Sequence, residues 1–204
     1  MIMVKQVFVS HAEADLDDVK RVLSPIQNLL FDLTIAISEP EAGRIPATVM
    51  KQISNSDVFI PVLTHNSKDS QWVNQEIGYA TSQRPTIIPL FEDDSMLKGL
   101  IGDYKGIKWD KYNSDRATFE VITMLRRNFE PLALGPLMPD WYLKLQCDYG
   151  TCNWENTFSI DRSQEELWKI YEENNIISWN CENCGTEYRF NPATFEFEGA
   201  TEPG

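Results

Sequence analysis

The chain has 204 residues, room for one ordinary domain or for a domain of about 130 residues with a small satellite. Eighteen Lys and Arg against thirty-one Asp and Glu leave a net charge of −13, opposite to the basic footprint that grips phosphate backbones, so bulk nucleic-acid binding is disfavoured. No apolar run approaches the ~20 residues that span a bilayer, and Met1 to Lys5 leads into a strand-like segment without a leader, so a cytoplasmic protein with no membrane contact is expected.

In chain order, short apolar runs at Val4–Val9, Leu33–Ile37, Val58–Leu63, Thr86–Phe91 and Ile107–Trp109 read as five strands. Helical stripes lie between them. Val19, Leu23, Ile26 and Leu30 recur at helical spacing after the first strand, and Ile45, Val49 and Ile53 after the second. A third helix is expected over about Ser70 to Ser82, and Phe119, Ile122, Leu125 and Phe129 outline a fourth. Alternation of this kind predicts an α/β fold: a parallel five-stranded sheet with helices on both faces and sites at the carboxyl ends of its strands. Pro61 and Pro89 fall inside two strand runs, where a central ladder needs amide donors, and are expected near strand ends.

Glu130 to Asp140 contains Pro131, Gly135, Pro136 and Pro139, which stops any helix and divides the chain into residues 1–130, a linker at 131–140 and a second part at 141–204. Charge changes there too. Residues 1–136 carry 14 basic and 18 acidic groups, and residues 137–204 carry 4 and 13, a net −9. The second part offers strands at Tyr142–Gln146, Trp154–Ile160, Ile177–Trp179 and Tyr188–Phe190, a helix over Ser163–Glu173 and a frayed tail at Glu198–Gly204.

All four cysteines lie in that second part. Cys147 and Cys152 have four residues between them, Cys181 and Cys184 have two, and no cysteine occurs earlier. Two such knuckles favour one four-thiolate zinc site over two disulfides. Gly185 allows the chain to turn tightly behind the second knuckle. The segment resembles a zinc ribbon, with a first spacing wider than usual, and the metal is expected to be structural because four thiolates leave no open position. At net −9 its partner is expected to be an unidentified protein rather than nucleic acid.

On the third helix, Val73, Ile77 and Ala80 form the buried stripe, while Trp72, Glu76 and Tyr79 form a second stripe beside it. Taken alone, that pair reads as a solvated glutamate over a half-packed indole. The context is more telling: Val7-Phe8-Val9-Ser10-His11 ends the first strand, Gly43-Arg44-Ile45 follows the second, and Ile53, Ser56, Asp57 and Val62-Leu63-Thr64 precede Ser70, Trp72 and Glu76. In order and spacing this resembles the Toll/interleukin-1 receptor (TIR) domain over the first two thirds of the chain.

The resemblance implies a flavodoxin-like sheet, a mobile loop at about Glu39 to Arg44 and an NAD-cleaving activity of the prokaryotic type, directed at the nicotinamide–ribose bond. In that reading Glu76 is the catalytic carboxylate. Trp72 lines the same pocket, with Ser10, His11 and the loop after the second strand, including Ser38 and Arg44, as further walls. His11 reads as a wall rather than a base, and Arg44 could meet a pyrophosphate. The resemblance further implies self-association through TIR domains and a role in antiviral defence or signalling. The alternative is a non-enzymatic TIR scaffold. Two rival sheets are disfavoured, because a phosphoacceptor domain needs an aspartate where Thr64 and His65 stand, and a dinucleotide fold needs glycine within Ser10-His11-Ala12-Glu13.

Overall fold

The computed structural model describes residues 4–29, 31–36, 45–129 and 141–202. Strands β1 (Lys5–Ser10), β2 (Phe31–Ile35), β3 (Val58–Leu63), β5 (Leu90–Phe91) and β6 (Ile107–Lys108) lie parallel in the order β2-β1-β3-β5-β6, and β4 (Thr86–Ile87) pairs with β3 off this path. Helices α1 (Leu16–Leu23) and α4 (Ser114–Phe129) cover one face, and α2 (Ala47–Asn55) and α3 (Gln71–Gln83) the other. Strand alternation assigns the layers. Val7, Val9, Val58, Ile60 and Val62 pack with α1 and α4, while Phe8, Phe59 and Leu63 point to the α2–α3 side. Buried on both faces, these strands read as continuous apolar runs.

Where five strands were expected, the sheet has six, because the fourth run is broken in the middle. Ile88 N donates to Phe59 O at 3.0 Å. The following rung of a parallel ladder would run from the amide of residue 61 to the Ile88 carbonyl, and Pro61 has no amide hydrogen. Pairing resumes at Val62 with Leu90. Pro61 is thus interior to β3 rather than near its end, and it sits opposite the gap it creates. Pro89 uses only its carbonyl, which accepts from Ile107 N at 2.7 Å. Gly106 permits that approach, since a Cβ there would lie 2.8 Å from Pro89 O and 2.7 Å from the Phe91 ring.

The first helix is also shorter than its stripe. It stops at Leu23 and continues as a 3-10 turn over Ser24–Asn28, since Pro25 cannot donate into an α ladder. Ile26 remains buried, and Leu30, like Ile37 of the second strand, lies outside the described residues.

After residue 140, β7 (Trp141–Gln146) pairs antiparallel with β8 (Glu155–Ile160), and α5 (Gln164–Glu172) starts at a Ser163–Glu166 capping box. A second antiparallel sheet has the order β11-β10-β9, from β9 (Ile177–Asn180), β10 (Glu187–Phe190) and β11 (Phe197–Thr201). The last strand replaces the expected frayed tail. Phe197 packs its ring against Tyr188 and Phe190 at 6.1 and 6.0 Å, and Thr201 Oγ1 donates to Glu187 Oε2 at 3.0 Å.

A separate core for the first 130 residues is not what the packing shows. Phe119 of α4 lies 4.6 Å from Trp168 of α5, the Arg116 guanidinium stands 4.5 Å over the same indole, and Tyr171 OH donates to Asp115 at 2.7 Å. Arg126 Nη1 reaches Gln164 Oε1 at 2.8 Å and Asn28 Nδ2 reaches Phe195 O at 3.2 Å. Trp168→Ala removes the central ring of this junction, so stability should fall by about 2 kcal/mol. Limited proteolysis should then cut residues 130–140 faster at unchanged metal content. An unaltered cleavage rate would show that the α4–α5 contact does not hold the two parts together.

Candidate active site and metal centre

Helix α3 is set by its ends. The Ser70 hydroxyl accepts from Val73 N at 3.3 Å, and Arg84 closes it in the left-handed region at φ 63°. Tyr79 OH meets Ser54 of α2 at 2.8 Å, which turns the Trp72–Glu76 flank toward α2 and β1. Both residues are buried, Trp72 at 8% and Glu76 at 0% exposure, so the solvated reading of this stripe does not hold. Ser10 follows Phe8 by two positions in β1, which puts it on the sheet face beneath α3.

Among the described residues, neither Glu76 oxygen has a hydrogen-bond partner of normal geometry, and the same is true of Ser10 Oγ and His11 Nδ1. Orphaned polar atoms inside a native fold call for an explanation, and a ligand that completes them is the economical one. Burial pushes the Glu76 carboxyl up to about 7, with the nearby Ser10 hydroxyl and Trp72 pulling weakly back toward the anion. Burial likewise lowers His11 below its ordinary value, against the raising effect of Asp15 and the Val9 backbone. At neutral pH the Glu76 carboxyl is therefore near its titration point, and the His11 imidazole at the end of β1 is neutral.

The titration has a sign. A carboxyl whose proton is held more tightly in the fold stabilises the fold fully below about pH 4.5 and loses that contribution as pH rises through about 7. The loss is about 3 kcal/mol. Denaturant unfolding at pH 5 and pH 8 should show a smaller decline in Glu76→Gln than in wild type; equal declines would show that this carboxyl does not titrate in that window.

Ser38 and Arg44, and the loop at about Glu39 to Arg44, lie outside the described residues. A polar network missed by sequence reading supports the neighbouring edge. Asp15, fully buried, accepts from Thr64 Oγ1 at 2.5 Å and from Asn66 Nδ2 at 2.7 Å. Lys111 then links Asp15 at 3.7 Å to Glu92 at 2.9 Å. These partners lie far apart in sequence and carry no motif. Thr64, just after β3, is a donor to Asp15 and no phosphoacceptor.

In the second part the four cysteine sulfurs lie within 4.8 Å of one another, with Cys147–Cys184 at 3.5 Å and Cys152–Cys181 at 3.8 Å. Zinc bound at ~2.3 Å from each of four tetrahedral sulfurs sets them about 3.8 Å apart, whereas a disulfide needs about 2.05 Å. The donor set fits zinc. Each sulfur also faces one side-chain donor that spacing could not reveal: Tyr188 OH to Cys147 at 3.0 Å, Asn183 Nδ2 to Cys152 at 3.2 Å, Asn156 Nδ2 to Cys181 at 3.5 Å and Thr186 Oγ1 to Cys184 at 3.1 Å. Gly185, at φ 81°, turns its amide onto Cys181 O at 2.9 Å. Burial opposes the Cys181 thiolate, yet the amides of Cys184 and Asn183 outweigh it and bring that thiol down to about 6, while burial drives Cys147 up to about 11.

A parallel sheet covered on both faces, with buried polar groups at the carboxyl end of its first strand, defines a doubly wound α/β protein. Residues 7–123, more than half of the chain, match the family described as TIR domain, and the chain belongs to that family. Among solved structures, the TIR domains of the activated Roq1 resistosome, which directly recognises the pathogen effector XopQ, align at 16% identity over 63% of this chain and 76% of that one, with a TM-score of 0.41. No curated protein matches by sequence. No helix among the described residues is long and apolar enough to cross a membrane.

Proposed function

We propose that the chain cleaves NAD at the bond between nicotinamide and ribose, releasing nicotinamide and either ADP-ribose or a cyclic isomer, in a defence or signalling role. The observation that carries this reading is Glu76: a fully buried carboxylate whose two oxygens have no hydrogen-bond partner of normal geometry among the described residues, with Trp72 and the Ser10 hydroxyl nearby. Nicotinamide leaves a pyridinium as a neutral molecule, so no acid is needed for departure, unlike ordinary glycoside hydrolysis. The demand is on the ribose, which develops oxocarbenium charge. A fixed anion in a dry pocket stabilises that charge and orients the sugar hydroxyls. Trp72 offers a flat surface for a ring and helps exclude water. His11, kept neutral by burial, is a wall that accepts or donates one hydrogen bond.

Zinc held by Cys147, Cys152, Cys181 and Cys184 would maintain the second part, which we take as a zinc-ribbon-like unit that follows a linker and packs on α4, and would supply no chemistry to the cleavage. That unit would meet a protein partner. Self-association through the TIR domain and a cytoplasmic setting complete the proposal. A non-enzymatic scaffold is the competing reading, and burial of an unpartnered charge, costly without a ligand to use it, favours the enzyme.

Incubation with NAD and identification of products by mass spectrometry tests the activity. kcat/KM should rise about tenfold per pH unit below pH 7 and level off above it, because only ionised Glu76 assists. A profile that falls with rising pH would remove Glu76 as the working anion, and a full inventory of intact NAD after prolonged incubation would favour the scaffold.

A further inference from the structure

The flank of α3 turned away from Glu76 borders a cavity of about 420 Å³. It shares no residue with the Glu76 site, and its size lies toward the lower end of the ~300–1,000 Å³ usual for small-molecule sites. Leu63, Val73, Ile77 and Ile101 give it an apolar floor, and Leu100, 64% exposed, forms an outer wall near Gly78, where an added Cβ would lie 3.9 Å from its Cδ1. Gly99 makes this possible, since its φ of 62° swings the 3-10 turn Gly99–Ile101 across the opening.

The rim is cationic in a chain of net charge −13. Lys68 and Lys98 border the opening, and neither has an ion pair among the described residues. The neighbouring acids are partly spent elsewhere, Glu92 on Lys111 at 2.9 Å, Asp94 on Lys108 at 3.5 Å and Asp93 on the Ser95 amide at 2.9 Å, while Asp69 follows Lys68 in sequence. Hydrogen-bonding capacity is also open. Asn74 Nδ2 is engaged with Ser70 O at 2.9 Å, which leaves its Oδ1 as an acceptor, and His65 uses Nδ1 toward Glu92 at 3.0 Å, which leaves Nε2.

An apolar floor with two ammonium groups free of ion pairs among the described residues on its rim is complementary to a molecule with a flat, weakly polar body and one compact anionic end. We infer that this cavity is a second ligand site, taking a small phosphomonoester of mononucleotide size with its phosphate between Lys68 and Lys98 and its body against Ile77 and Leu100. Because α3 carries this cavity on one flank and Glu76 on the other, an occupant here braces the helix that holds the carboxylate without entering its pocket.

The test is calorimetric titration of the full chain with AMP, with adenosine and inorganic phosphate as comparators. AMP should bind at one site per chain, and adenosine about tenfold more weakly or worse, since it lacks the charge-assisted contacts. The double substitution Lys68→Ala with Lys98→Ala should weaken AMP by about tenfold or more, with thermal unfolding unchanged because both side chains are exposed. Leu100→Asp, also at an exposed position, provides a second variant and should weaken AMP comparably. Glu76→Gln should bind AMP as wild type does. The readout is binding alone, so it stands whether or not NAD is cleaved. Absence of AMP binding at millimolar concentration, adenosine binding as tightly as AMP, or loss of binding in Glu76→Gln with the lysine variant unaffected would each overturn the assignment.

Discussion

Glu76→Gln should reduce nicotinamide release by at least about 100-fold, the scale on which single preorganised electrostatic groups act in dry sites. The substitution preserves volume and removes the charge. Because the carboxyl sits at 0% exposure and its ionised form is disfavoured by burial, the variant should fold as well as wild type at pH 7 and better at pH 8. Loss of activity at equal or greater stability is the signature of a group held at a cost for chemistry. Trp72→Ala, which opens the wall but keeps the anion, should lose about tenfold, chiefly in KM, since ring stacking contributes alike to bound substrate and transition state. A folded Glu76→Gln protein that turned over NAD at the wild-type rate would end the catalytic assignment and leave the buried carboxylate without a use.

The helix bearing Glu76 was legible because Val73, Ile77 and Ala80 mark its buried stripe and Ser70 its start. Its deep burial was not. Glu76 lies at the edge of that stripe, and whether the edge is wet depends on β1 and α2, which approach through contacts that no local pattern records. The same holds for the sheet. Apolar runs locate every strand of the first part, but the break between β4 and β5 comes from Pro61, on a neighbouring strand, failing to donate to Ile88. Cysteine spacing located the four-sulfur cluster directly, since spacing is what sets a knuckle, whereas Tyr188 and Asn156 reach their sulfurs across 41 and 25 residues. Strand β11 was missed for a related reason: its strand formers, Phe197 and Thr201, stand at its two ends around Glu198-Gly199-Ala200, and pairing with β10 specifies the rest. Local periodicity thus reports elements, while partnership between distant elements decides which polar groups end up buried.

Cys181→Ser should abolish zinc binding, from one ion per chain to none in elemental analysis, and unfold the second part. Thiolate coordination in small zinc domains is linked to folding with about 10–16 kcal/mol, far more than the apolar burial of some 60 residues returns after conformational entropy. Cys181 stands at the centre of that linkage. Its amide donates to Thr186 O at 2.8 Å, its carbonyl accepts from Gly185 N at 2.9 Å, and its sulfur faces Asn156. A serine hydroxyl there has neither the charge nor the reach of a thiolate, so three sulfurs would be left around an incomplete site. Protease should then attack residues 141–197, and the consequences should spread to α4, whose Phe119 and Arg126 lose Trp168 and Gln164 as cover. The parallel sheet should survive with lowered stability, because Val7, Val9, Ile60 and Val62 remain packed against α1 and the rest of α4. Glu76 lies on the opposite face of the sheet, so NAD cleavage per folded molecule should change by less than about threefold; a larger loss would mean that the metal-bound part helps to build or assemble the pocket. Retained protease resistance in zinc-free Cys181→Ser protein, or two disulfides in place of zinc in wild type, would refute a metal-held fold.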